Sequence, residues 1–232
     1  MKKTITVILS LLLIISSLSV IPFAAQALEP SGQCGPYITY TFDSSTGTLS
    51  LDGGGQMYDY AWGESPFFGN TDIKTLVVID EITKTPGPVS GYVETIGSNA
   101  FAQCTNLETV VLPSSVAWIG ESAFNGCTKL KNLTLARSTG WIGERAFAGC
   151  AALTEIELRK GMTVVKAGVF DGCTSLKTIT VSGTVKTVED GAFYGCTALT
   201  DVYYWGTDAE WDAINVGTGN SYFKTAAVTR KT

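Results

Sequence analysis

Apolar positions in this chain recur on a fixed period. Phe stands at Phe101, Phe124, Phe147, Phe170 and Phe193, each 23 residues after the last. A Cys follows three residues later every time, at Cys104, Cys127, Cys150, Cys173 and Cys196, and a Leu three later again, at Leu107, Leu130, Leu153, Leu176 and Leu199. A β-branched residue precedes each Phe: Ile96, Ile119, Ile142, Val165 and Val188. The unit reads Ile/Val-x3-Ala/Val-Phe-x2-Cys-x2-Leu, and five copies cover residues 93–207. The segment Leu153-Thr154-Glu155-Ile156-Glu157-Leu158 ends in strict in-out-in alternation, which predicts a short strand. Glu144-Arg145-Ala146-Phe147 predicts one short helical turn, with its acid near the positive end of the helix dipole. Each repeat is thus expected to be a strand, a turn and a short helix. One repeat alone cannot bury its Phe and Leu. Stacked in register, the repeats form continuous Phe, Cys and Leu ladders beside a parallel sheet spaced about 4.8 Å per rung.

A period of 23 falls within the range of leucine-rich repeats. The units Ile119-Gly120-x3-Phe124-x2-Cys127-Thr128-x-Leu130 and Val188-x4-Phe193-x-Gly195-Cys196-Thr197-x-Leu199 resemble the BspA-like (Treponema pallidum type) repeats of bacterial surface proteins. The likeness covers all five repeats and extends to Cys34-Gly35 and Gly53-Gly54-Gly55 ahead of them. It implies a curved, right-handed solenoid of α/β type, rich in β-strand, with export, a role in binding or adhesion, and no catalysis. The chain departs from the pattern after its third full strand segment, where Arg159-Lys160-Gly161 replaces the Pro seen at Pro113.

The flanks read as caps for the exposed ends of the stack. Tyr37 to Phe42 and Thr48 to Leu51 alternate around Asp43-Ser44-Ser45-Thr46-Gly47, which predicts a β-hairpin within an N-terminal cap over residues 28–72. Trp62, Phe67 and Phe68 are expected to cover the first rung. Ile73 to Val78 matches the strand half of a repeat, so the solenoid is assigned residues 73–206, one partial and five full repeats, with a loop inserted at 81–92. Thr207-Asp208-Ala209-Glu210 is a capping box that opens a short helix carrying Trp211 and Ile214 on one face. A last strand is expected from Ala226 to Arg230, inside a C-terminal cap over residues 207–232.

Residues 1–27 read as an export signal: Lys2 and Lys3, an uncharged apolar run from Ile5 to Ile21, then Ala25-Gln26-Ala27 as the cleavage site. An uncleaved anchor is the rival reading. Removing the leader takes the net charge from −5 to −7. No second apolar stretch reaches the ~18 residues of a membrane span, so no membrane insertion is expected after cleavage. An acidic chain without a basic cluster argues against nucleic acid. The absence of histidine removes Ser-His-Asp and Cys-His nucleophiles and histidine-bound zinc. No catalytic residue, cofactor or metal ligand is expected.

The six cysteines invite a disulfide reading. The five in the ladder, however, lie one per rung on an inward face, nearly 5 Å apart, beyond the ~3.5–4.5 Å between Cβ atoms that a disulfide favours. They are expected to be reduced and buried, with Cys34 unpaired. Glu155 and Glu157 share a strand face and could in principle perform carboxylate chemistry; a solvated acidic patch beside Arg159 is the simpler reading. Solenoids commonly bind partners on the concave sheet. Here its outward rows carry Asn132 and Thr134, Glu155 and Glu157, Thr178 and Thr180, and Asp201 and Tyr203, continued by Arg159 and Trp205. These ten residues are the candidate partner-binding set, although Tyr203 and Trp205 could instead pack under the C-terminal cap near Trp211. The leading expectation is a secreted or cell-surface binding module for an extracellular protein or glycan. A structural spacer or scaffold is the second, and a carboxylate hydrolase the third.

Overall fold

The computed structural model describes residues 27–79 and 91–231. Almost all of the leader and most of the 81–92 loop lie outside these residues. The N-terminal cap holds β1 (Ser31–Gly35), β2 (Ile38–Asp43), β3 (Thr48–Gly53) and β4 (Gly55–Gln56). β1, β2 and β3 form an antiparallel meander, with the expected hairpin between β2 and β3. Long and short strands then alternate: β5 (Thr75–Val78), β6 (Val93–Ile96), β7 (Thr109–Val111), β8 (Trp118–Ile119), β9 (Asn132–Thr134), β10 (Trp141–Ile142), β11 (Glu155–Leu158), β12 (Val164–Val165), β13 (Thr178–Ser182), β14 (Thr187–Val188) and β15 (Asp201–Trp205). The C-terminal cap adds α1 (Asp208–Asp212), β16 (Asn215–Val216), α2 (Ser221–Thr225) and β17 (Ala227–Arg230). The expected capping box is present, with the Thr207 hydroxyl and the Glu210 carboxylate each bonded to the other's backbone N–H.

Parallel pairing joins neighbouring rungs at the predicted spacing on either side of one break, between β9 and β11 and between β10 and β12, for example Glu155 beside Thr178 and Thr178 beside Asp201. Two sheet walls result. Long strands form one, short strands the other, and the Phe segments close the third side. The short-strand wall is absent from the sequence reading, which marked Ile96 and its equivalents only as β-branched residues ahead of each Phe.

The expected short helix in each repeat is a correction: among the described residues, helices occur only in the C-terminal cap. The residues two before and two after each Phe adopt left-handed backbone conformations, as at Ser122 (φ 53°) and Gly126 (φ 75°), or Arg145 (φ 54°) and Gly149 (φ 73°). A helix cannot run through such alternation. The segment instead bonds across rungs: Phe124 N–H donates to Ala146 O at 2.8 Å, Phe147 N–H to Val169 O at 3.0 Å and Phe170 N–H to Ala192 O at 2.9 Å.

The core is a column of aromatic rings. Phe67, Phe101, Phe124, Phe147, Phe170, Phe193 and Phe223 stack with centroids 4.9–5.9 Å apart. The caps thus contribute a ring at each end, Phe67 as expected and Phe223 in addition. Trp62 remains exposed, edge-on to Phe68.

All six cysteines are free and buried. The ladder thiols do more than fill space. Each points at the carbonyl of the Phe one rung back: Cys104 Sγ to Phe67 O at 3.0 Å, Cys127 to Phe101 at 3.2 Å, Cys150 to Phe124 at 3.4 Å, Cys173 to Phe147 at 3.2 Å and Cys196 to Phe170 at 3.1 Å. Weak S–H donors thereby satisfy buried acceptors. Burial pushes the Cys104 and Cys196 thiols up to about 12, and the other three in the ladder upward as well. The folded protein is therefore expected to react with a thiol reagent only after denaturation. Between pH 9 and 12 unfolded thiols ionise while folded ones do not, so stability should fall as pH rises through that window. Ready labelling of the native ladder would contradict this placement.

Candidate functional site

Alternation along the long strands buries Ile156, Leu158, Ile179 and Val181 and turns their neighbours outward. The register then builds rows. Glu155, Thr178 and Asp201 form one, and Glu157, Thr180 and Tyr203 the next. Ser182 pairs with Trp205 in a third row, which the 23-residue spacing extends to Arg159. Asn132 and Thr134 lie on β9, beside Thr109 and Val111.

Three adjoining hollows open on this face. One of about 250 Å³ is lined by Thr134, Glu155, Glu157, Arg159, Thr180 and Tyr203, with Thr178 and Leu133. A second, about 400 Å³, lies beside it between Asn132, Thr134, Lys131 and Glu155. The third, about 510 Å³, is bounded by Glu157, Arg159, Ser182, Thr184, Trp205 and Glu210. Nine of the ten residues expected on the face line at least one hollow. Asp201 lines none of them, and its carboxylate accepts from the Thr200 hydroxyl at 2.7 Å. Lys131, Ser182, Thr184 and Glu210 join the lining without having been anticipated. Ser182 was open to detection, since it lies 23 residues from both Arg159 and Trp205.

Charge is unevenly spent across these walls. Arg159 donates through Nε to Leu135 O at 2.9 Å and pairs with Glu157 at 3.2 Å. Lys131 pairs with Glu108 at 2.8 Å, and that hydrogen bond holds the Glu108 carboxyl below the usual carboxylate range. Among the described residues the Glu155 carboxylate has no hydrogen-bond or ion-pair partner, and it stands where the first two hollows meet. Trp205 is half exposed; Tyr204, not Tyr203, packs against Trp211 under the C-terminal cap. Tyr203 instead lies beneath Lys231, whose Nζ is 4.3 Å from the ring centroid.

The short-strand wall carries a pair that the sequence reading passed over. Trp118 and Trp141 stack 4.8 Å apart, and Lys166 lies 5.0 Å from the Trp141 centroid. Their 23-residue spacing was the available signal. Among the described residues no group of three His, Cys, Asp or Glu side chains could hold a metal ion, and no helix is long and apolar enough to cross a membrane.

The BspA type leucine rich repeat region matches in six copies across residues 93–212. The chain belongs to this family. A leucine rich cell surface protein from Faecalibacterium prausnitzii is 27% identical with a TM-score of 0.55, over 77% of this chain and 40% of that one. A leucine-rich repeat protein from Eubacterium ventriosum is 21% identical with a TM-score of 0.58, over 76% of this chain and 44% of that one. This chain therefore spans less than half the length of either. The leucine rich repeat protein of T. pallidum is 22% identical with a TM-score of 0.46, over 78% of this chain and 83% of that one. No curated protein matches.

Proposed function

We propose that the chain is an exported, non-catalytic docking module. Its long-strand face would receive an extracellular protein or glycan. The observation that carries this reading is the contrast between the two sides of the same strands. Inward positions repeat one apolar solution at every rung. Outward positions mix hydroxyl, carboxylate, guanidinium and aromatic groups around three adjoining hollows. Tyr, Trp and Arg, the types most enriched at binding hot spots, are all present. The leader-like N-terminus and the similar cell surface protein support the location. A hydrolytic reading gains nothing from the carboxylates, because Glu157 is tied to Arg159 on an open face.

Affinity capture of extracellular proteins and glycans on residues 28–232 supplies the partner. Replacing Glu155, Glu157 and Tyr203 with Ala, Ala and Ser should then weaken binding at least about tenfold, or 1.4 kcal/mol. Stability should change by less than about 1 kcal/mol, because these side chains do not carry the core. Unchanged binding, together with its loss on deletion of residues 28–72, would transfer recognition to the N-terminal hairpin.

A further inference from the structure

The 23-residue period is unbroken at Phe147 and Phe170, yet both sheet walls stop between them. β9 ends a six-stranded sheet and β11 begins a separate four-stranded one. β10 and β12 are likewise the facing edges of two separate short-strand sheets. Only the Phe–Cys wall is continuous there, through Arg145 N–H to Ala167 O at 3.1 Å, Phe147 N–H to Val169 O at 3.0 Å and Gly149 N–H to Asp171 O at 2.6 Å. The Phe147–Phe170 centroid distance, 5.9 Å, is the longest in the column. A narrow gap lined by Ile142, Leu158, Met162, Val165 and Phe170 lies inside the same step.

The residue that should cross each wall uses its side chain instead of its main chain. In the first step of the long ladder Leu51 pairs with Val78, and Ile79 N–H donates to Leu51 O at 2.9 Å. That bond is also missing at the next two steps, at Pro113 and Ala136, where the strands still pair; at the open step the equivalent acceptor, Leu135 O, is taken by Nε of Arg159 at 2.9 Å. In the short ladder Gly120, Gly143, Glu189 and Gly217 each donate a main-chain N–H one rung back at 2.8 Å, to Ile96, Ile119, Val165 and Val188. The matching bond from Lys166 to Ile142 is not formed; the Lys166 ammonium bonds the Glu189 carboxylate at 2.9 Å and lies over the ring of Trp141, 5.0 Å from its centroid.

The slot at Lys166 supplies a cause. Gly97, Gly120 and Gly143 occupy it in the preceding rungs. A Cβ on Gly120 would lie 2.4 Å from Ser98 N, and one on Gly143 2.5 Å from Glu121 N, both backbone atoms that cannot rotate aside. Lys166 is the first residue in the series to bring a Cβ to this slot, and the step opens at that residue. Glu189, the next, also brings a Cβ yet keeps its 2.8 Å bond to Val165 O, with its carboxylate accepting from Ala167 N–H at 3.0 Å, so a Cβ opens the step only where no such bond compensates.

We infer that the solenoid is two blocks hinged along its Phe–Cys wall between the Phe147 and Phe170 rungs, held closed by Arg159 on one sheet wall and Lys166 on the other. Two of the hollows on the docking face straddle this step, so hinge motion would alter their shape. The inference does not depend on any partner being bound.

Residue-level amide hydrogen exchange on residues 28–232 tests it. Arg159 and Lys166 amides are expected to be at least roughly tenfold less protected than those of Gly143 and Glu189, while Phe147 and Gly149 stay protected. Lys166→Gly should raise protection at position 166 to the level of Gly143, against the usual loosening effect of glycine in a strand. Arg159→Met should lower protection in β9 and β11 and leave β15 and β17 unchanged. Equal protection of Lys166 and Glu189 in the unaltered protein would overturn the hinge, as would a Lys166→Gly variant less protected at that position than its parent.

Discussion

Phe147→Ala is expected to lower the free energy of unfolding by roughly 3–5 kcal/mol, read as a shift of the urea midpoint. Phe147 is fully buried, with Phe124 at 5.5 Å on one side and Phe170 at 5.9 Å on the other, all three rings close to parallel. What a truncation costs depends on whether neighbours can close over the cavity. Here they are restrained. Phe124, Phe147 and Phe170 are each tied through their own main-chain N–H to the next rung, so the spacing of these rungs is set by backbone bonds that the mutation does not remove. Phe223→Ala, at the end of the column and against the partly buried side chain of Trp211, should cost less because the cap can settle. An unchanged midpoint for Phe147→Ala, or a larger loss at Phe223, would show that the column is not the continuous core.

How much of this was open to reading from sequence follows from what each element needs. The Phe, Cys and Leu ladders were legible because a solenoid repeats its packing at every turn, and their spacing placed Glu155, Thr178 and Asp201 in one row. The short-strand wall was not, because its repeated strands have as few as two residues, one buried and one outward, too short to show a period of two. The Phe segment looked helical because Glu144 sits where a helix would favour an acid. The contrary signal is present only in part: Gly168, Gly172, Gly191 and Gly195 announce the left-handed positions, whereas Ser122 and Arg145 disguise the same conformation with side chains. Phe67 lies 34 residues before Phe101, and Phe223 lies 30 after Phe193, so the end rings fall off the period. The thiol-to-carbonyl bonds are a matter of direction, which spacing does not specify. On the docking face the rows were readable and the hollows were not, since two of them lie at a break in pairing that leaves the repeat length intact.

The same break gives the second large expected effect. Gly120→Ala puts a methyl group 2.4 Å from Ser98 N and 2.8 Å from both Gly97 C and Ser98 Cα. All three are backbone atoms of the rung beneath, so relief requires the rungs to part. The bond from Gly120 N–H to Ile96 O, 2.8 Å long, would be the first to go. A loss of about 1–3 kcal/mol is expected, the usual range for overpacking a well-filled site. Ordinary helix or strand propensity would predict the opposite sign, since alanine restricts the unfolded chain more than glycine does. The exchange pattern should reproduce, between the Phe101 and Phe124 rungs, what Lys166 produces between the Phe147 and Phe170 rungs: lost protection at position 120 with Phe101 and Phe124 still protected through their own cross-rung bonds. A Gly120→Ala protein as stable as its parent would mean that close approach of the rungs is not what reserves this slot for glycine, and the explanation of the open step at Lys166 would fall with it.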